Sequence, residues 1–153
     1  IFDDNNIKLQ GDSYGNIGNG CTTNKKGWKN MWYGKNYINE YVYNSNIKYA
    51  SIINTRIDFF STGMISRRMN DYGNNLSNLF LYNNLINNMN NKKINFLKDN
   101  GAGIDNYYTG PIEYLYKLSN LFNYNFDDTI KFCSKKFKQE EFVHEVAVNL
   151  FRL

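Results

Sequence analysis

The residues of this chain that could do chemistry are few and widely spaced. Gly11-Asp12-Ser13 follows a short apolar-alternating run, Ile7 and Leu9, and opens a loop with further glycines at positions 15, 18 and 20. Glycines there let the backbone take positive φ angles and come close to a ligand. A serine hydroxyl is almost wholly protonated at neutral pH, so Ser13 becomes a nucleophile only beside a general base. His144 is the one histidine in the chain, which makes it the unique candidate. A carboxylate must orient its imidazole, and Glu141 stands three residues before it, with Glu140 and Glu145 also near. Charge developing on a carbonyl oxygen needs amide donors, which the backbone of Ser13 or Tyr14, a glycine N–H and the side chain of Asn70 could supply. The same residues have plainer roles open to them. Asp12 and Ser13 suit a turn in which they bond their own backbone, His144 suits an exposed helix position, and Asn70-Asp71 suits a helix N-cap.

The elements that must position these residues follow from periodicity. Ile7–Leu9 alternates like a short strand. From Trp28 to Tyr43 the apolar positions recur at three- and four-residue spacing, which predicts an amphipathic helix interrupted at Gly34. Ile47 to Phe60 is rich in β-branched and aromatic residues and predicts one long or two short strands. Leu76 to Met89 has helical spacing and predicts a helix over roughly 75–90. Lys92–Leu97 alternates like a strand and runs into the turn-forming Lys98-Asp-Asn-Gly-Ala-Gly103. Pro111, the only proline, is placed to begin a helix carrying Ile112, Leu115, Tyr116, Leu118 and Phe122. Thr129–Cys133 reads as a short strand, and a final helix from about Glu140 carries the stripe Phe142, Val143, Val146, Ala147, Leu150. Strands alternating with helices predict a single α/β domain, 1–153, with a parallel sheet flanked by helices. Ligands of such sheets bind at the carboxyl ends of the strands, where the glycine-rich turn after Leu9 would lie.

Gly11-Asp12-Ser13 near the start, Asn70-Asp71 in the middle and Glu141-Phe-Val-His144 before a closing helix resemble the block order of the SGNH, or GDSL, esterase and lipase family. The resemblance implies a flavodoxin-like fold and a serine ester hydrolase acting on a small-molecule or glycan ester without a cofactor. It implies Ser13 as nucleophile and amide donor, Asn70 as oxyanion donor, His144 as base and Glu141 as the group that orients it. The chain departs from the family in having Glu141 where Asp is usual and Glu145 where Pro is usual. The glycine of the second family block is also missing around Ala50–Asn54.

Composition frames a second class of function. Of 153 residues 28 are Asn, with many Lys, Ile and Tyr, the bias of an AT-rich genome. Aromatic residues reach 17%, including 13 Tyr and 11 Phe, so there is ample material both for a core and for contact surfaces. A net charge of +4 is low for a dedicated phosphate-binding protein. The dibasic pairs Lys25-Lys26, Arg67-Arg68, Lys92-Lys93 and Lys135-Lys136 suit solvated faces or RNA phosphates between aromatic residues. The alternative to an enzyme is therefore a non-catalytic structural subunit of a large assembly, a ribosome or an organellar complex, with protein or RNA neighbours. One His and two distant Cys cannot build a four-ligand structural zinc site, and Gly15-Asn-Ile-Gly18 is no phosphate loop. No run of about 18 apolar residues predicts a membrane span. The first residue is Ile rather than Met, which fits a processed or incomplete product, secreted or organellar. Cys21 and Cys133 would form one long-range disulfide in an oxidising compartment and stay free thiols elsewhere.

Overall fold

Trp28, Trp32, Asn36 and Asn39 recur at helical spacing, and together with Lys29 they form the buried stripe of the longest helix, α1 (Lys25–Asn44). In this computed structural model the described residues are 7–17, 23–55, 93–99, 102–133 and 142–151. The helix runs without a break through Gly34, so the interruption expected there does not occur. Asn24 is its N-cap, accepting from the Gly27 amide at 3.2 Å, and Ser45 ends it by donating its hydroxyl to Val42 O at 2.8 Å.

The chain then forms β1 (Ile52–Thr55), β2 (Asn95–Asp99) and β3 (Ala102–Gly110). These make a three-stranded sheet of order β1-β3-β2 in which both pairings are antiparallel. The parallel, helix-flanked, flavodoxin-like sheet expected from the sequence is therefore corrected. The physical reason is the connection between β2 and β3. Only Asn100-Gly101 separates them, and a parallel pair needs a crossover of a dozen or more residues. In β1, Ile52 pairs with Gly110 and Thr55 with Tyr107. In the β2–β3 pair, Phe96 faces Tyr108 and the register shifts between Phe96 and Lys98.

Among the described residues, β3 is followed by the helices α2 (Ile112–Tyr124), α3 (Phe126–Cys133) and α4 (Phe142–Phe151). Pro111, with its fixed φ, is the N-cap of α2, one position earlier than expected. The segment expected as a strand at 129–133 is the second half of α3. Its buried residues Phe126, Thr129, Ile130 and Cys133 lie at helical spacing and share one face. Ile7–Leu9 forms no strand. Of the expected strand region 47–60, residues 52–55 are extended in the sheet, while 56–60 and the helix expected over 75–90 lie outside the described residues.

The core lies where α1 and α2 pack antiparallel. Trp32 stacks on Phe122 with centroids 4.2 Å apart, and Trp28 meets Phe122, Phe126 and Phe142 edge-on. Burying each such ring contributes roughly 2–3 kcal/mol relative to exposure. Toward the C-terminal half of α1 the seam turns polar. Asn39 Nδ2 donates to Leu115 O and to Ser119 Oγ, Ser119 Oγ lies 3.2 Å from Asn36 Oδ1, and Asn54 Nδ2 of β1 donates to Asn39 Oδ1. Asn36, Asn39 and Ser119 are deeply buried yet paired, as buried polar groups must be.

Candidate functional site

Three of the chemistry-bearing residues meet very different fates. Gly11 holds φ +65°, and a Cβ there would collide with Asp127 Oδ2. Asp12 Oδ1 then accepts from the Tyr14 amide at 2.9 Å, which makes the Gly-Asp-Ser stretch an Asx-type turn around a half-buried Ser13. His144, on α4, brings Nδ1 to 3.2 Å from Glu145 Oε1 and packs edge-on against Phe96 of β2 at 5.3 Å. Among the described residues there is no hydrogen bond between Ser13 and His144, and the carboxylate facing the imidazole is Glu145. Asn70 and Glu141 lie outside the described residues, as does Cys21. Cys133 is a buried free thiol, and burial pushes its pKa up to about 11, so it is a poor nucleophile.

The glycine loop is held by a lysine that sequence reading passed over. Lys29 is 4% exposed on the buried face of α1. Its ammonium donates to the carbonyls of Gln10 and Asp12 and to Asp127 Oδ2 at 2.9 Å, and it sits over the Phe126 ring. Lys25 Nζ reaches Asp12 Oδ2 at 3.0 Å, and lies 3.7 Å from Asp127 Oδ1, an ion-pair distance beyond hydrogen-bond reach. The first turn of α1 carries lysines and no acid, against the preference of a helix N-terminus for negative charge. Asp12 and Asp127 supply that charge from outside the helix. The Tyr14 amide and the Lys25 ammonium hold the Asp12 carboxyl below its ordinary value. The Lys29 ammonium and the Asp12 carboxylate of this cluster are engaged in fixing the loop, while Asp127 Oδ1 is buried without a hydrogen-bond partner. Among the described residues no group of His, Cys, Asp and Glu could hold a metal ion, and no helix is long and apolar enough to cross a membrane.

A different surface has the character of a site. On α1 the side opposite the buried stripe presents Tyr37, Ile38 and Tyr41, the last 74% exposed. Tyr43, in the last turn of α1 on the side of Tyr116, and Ile47 (61% exposed) and Tyr49 beyond the helix are exposed as well. Single exposed apolar residues are ordinary, but six of them between positions 37 and 49 are not. Two grooves sharing Ser45 cut this surface. One is lined by Tyr37, Glu40, Tyr41 and Asn44, and the other runs between residues 42–50 and the start of α2. The rings are not loose: Tyr43 stacks on Tyr116 at 4.9 Å, and Tyr114 stacks on Phe151 at 4.6 Å. The sequence signal for this surface was the surplus of tyrosine; Ile38 and Tyr41, which the spacing from Trp28 to Tyr43 counts among the apolar positions of the helix, are exposed instead. Compared with known proteins, the chain matches no family model, no curated protein and no solved structure.

Proposed function

We propose that this chain is a non-catalytic subunit that docks into a larger protein assembly through the tyrosine-rich face of α1 and residues 43–49. The observation that carries this reading is the exposure of Tyr37, Ile38 and Tyr41 on one side of α1, with Tyr43, Ile47 and Tyr49 exposed at and beyond its end. Tyrosine offers large, stiff contact area with a polar tip, which is why it is enriched at protein interfaces. Composition supports an assembly from an organism or organelle with an AT-rich genome, such as a ribosome or a respiratory complex. Ester hydrolysis at Ser13 would need a base in hydrogen-bond reach; among the described residues no hydrogen bond joins Ser13 to His144, whose Nδ1 lies 3.2 Å from Glu145 Oε1.

The test is sedimentation of the tagged full chain in extracts of the cells that make it. The wild type should travel with a large particle, and the Ile38→Ser, Tyr41→Ser double variant should travel as free chain while keeping its thermal midpoint. Free sedimentation of the wild type would overturn the reading. So would labelling by a fluorophosphonate probe that is lost in Ser13→Ala.

A further inference from the structure

We infer that α1 pairs antiparallel with α1 of a second copy of this chain, so that the assembly carries the chain as a two-fold pair. This rests on the docking role of the tyrosine face and names what covers its helical part. Residues 43–49 of both copies are left to other neighbours. At 3.6 residues per turn, Gly27, Asn30, Gly34, Tyr37, Ile38 and Tyr41 fall within an arc of about 100° opposite the buried stripe. No charged residue of α1 falls in that arc. The outward stripe of a surface helix ordinarily holds charge, so this one has the composition of a contact.

The arc has two unlike halves. Gly27 and Gly34 leave the N-terminal half low, and a Cβ at either would meet nothing within 4 Å. Tyr37, Ile38 and Tyr41 stand out from the C-terminal half. A two-fold axis beside Gly34 sets low against high: Tyr41 of each copy lies over Gly27 of the other, and Asn30 faces Ile38. Such a contact is isologous, every residue pair occurring twice. A parallel pair would set tyrosine on tyrosine and leave the glycines facing a gap.

Charge selects the same arrangement. Glu40 lines a groove of about 340 Å³ together with Tyr37, Tyr41, Asn44 and Ser45. A carboxylate beside tyrosine rings suits an ammonium. Lys26 is exposed just outside the arc on the Tyr37 side, with no ion pair among the described residues. The two-fold brings it to the same flank as Glu40 of the second copy, about 3 Å from level with it along the helix. Parallel pairing would instead set Lys26 against Lys26 and Glu40 against Glu40.

In sedimentation equilibrium the purified full chain should shift reversibly with concentration from 18.0 kDa to twice that mass. Lys26→Glu and Glu40→Lys should each weaken pairing about tenfold, because each reverses two contacts at once. The double variant, with the charges exchanged, should regain most of the wild-type affinity. A chain that stays single at every concentration would overturn the inference. So would single variants that pair as the wild type does, or a double variant as weak as the single ones. If the chain stays single yet sediments with a particle in extracts, the docking role stands and a different protein covers α1. A chain that pairs as described but joins no particle keeps the pairing and removes the docking role.

Discussion

Replacing Lys29 with Met removes an ammonium while keeping most of the side chain's length and apolar stem, so it isolates what the charge does. That ammonium donates to two loop carbonyls and to Asp127, and lies 5.4 Å from the Phe126 centroid. A hydrogen bond to a charged group nets about 1.5–3 kcal/mol, and three made by one group do not simply add. Losing one partner of a buried pair typically costs about 3–5 kcal/mol. Here the Asp127 side chain is 40% exposed and can turn to water, which lowers the cost. The expected loss is about 2–4 kcal/mol. For a chain of this length that lowers the thermal midpoint by roughly 5–15 °C. Urea denaturation of Lys29→Met, Asp127→Asn and the double variant should give a coupling of about 1–3 kcal/mol. Hydrogen exchange should show where the damage falls. The amides of Ile17 and Lys25, bonded to Thr23 O and Gly15 O, should lose protection before those of α2. A loss below about 0.5 kcal/mol, within the range of ordinary surface changes, with Ile17 still protected, would refute the view that Lys29 anchors the loop.

Two further outcomes are expected. Gly34→Ala should raise stability by about 0.5–1 kcal/mol in urea denaturation, because a Cβ there would meet nothing within 4 Å. Asp12 should make stability depend on acid. The Tyr14 amide and Lys25 depress its folded pKa below the ordinary 3.8, so its contribution is complete above that value and is lost as pH falls through the folded pKa. Asp12→Asn should lower stability at neutral pH and flatten the acid limb of a stability-against-pH curve, so that the variant and the wild type converge as pH falls through the folded pKa of Asp12.

Helices were legible where an apolar stripe spans three turns or more, as in α1, α2 and α4, and Pro111 marked the start of α2. The last half of α3, Thr129–Cys133, looks β-branched and short when taken alone. Only with Phe126 included does the helical spacing emerge. β3 was hidden because Gly103, Asp105 and Asn106 have low strand propensity, and pairing with β2 at Ala102-Gly103 and with both neighbours at Tyr108-Thr109 supplies what propensity does not. The sheet's direction was recoverable from the two-residue link at Asn100-Gly101, but only by a reader who had seen β3. The loop's anchor was not recoverable at all. Lys29 is one lysine among several, and its burial depends on Asp127, which lies 98 positions away.

Asparagine abundance looked like drift in the codon pool, a residue filling exposed positions by default. Asn36 and Asn39 sit instead between two helices, against Ser119 and the Leu115 carbonyl. A purely apolar stripe can slide by one helical turn, about 5.4 Å, and still bury itself. An amide stripe cannot, since each group stranded by the slip would cost about 1–3 kcal/mol. The two asparagines thus act as an index mark, admitting one alignment of α1 on α2. Asn54 ties β1 to the same mark, and so the position of the intervening tyrosines is set by residues that never reach the surface.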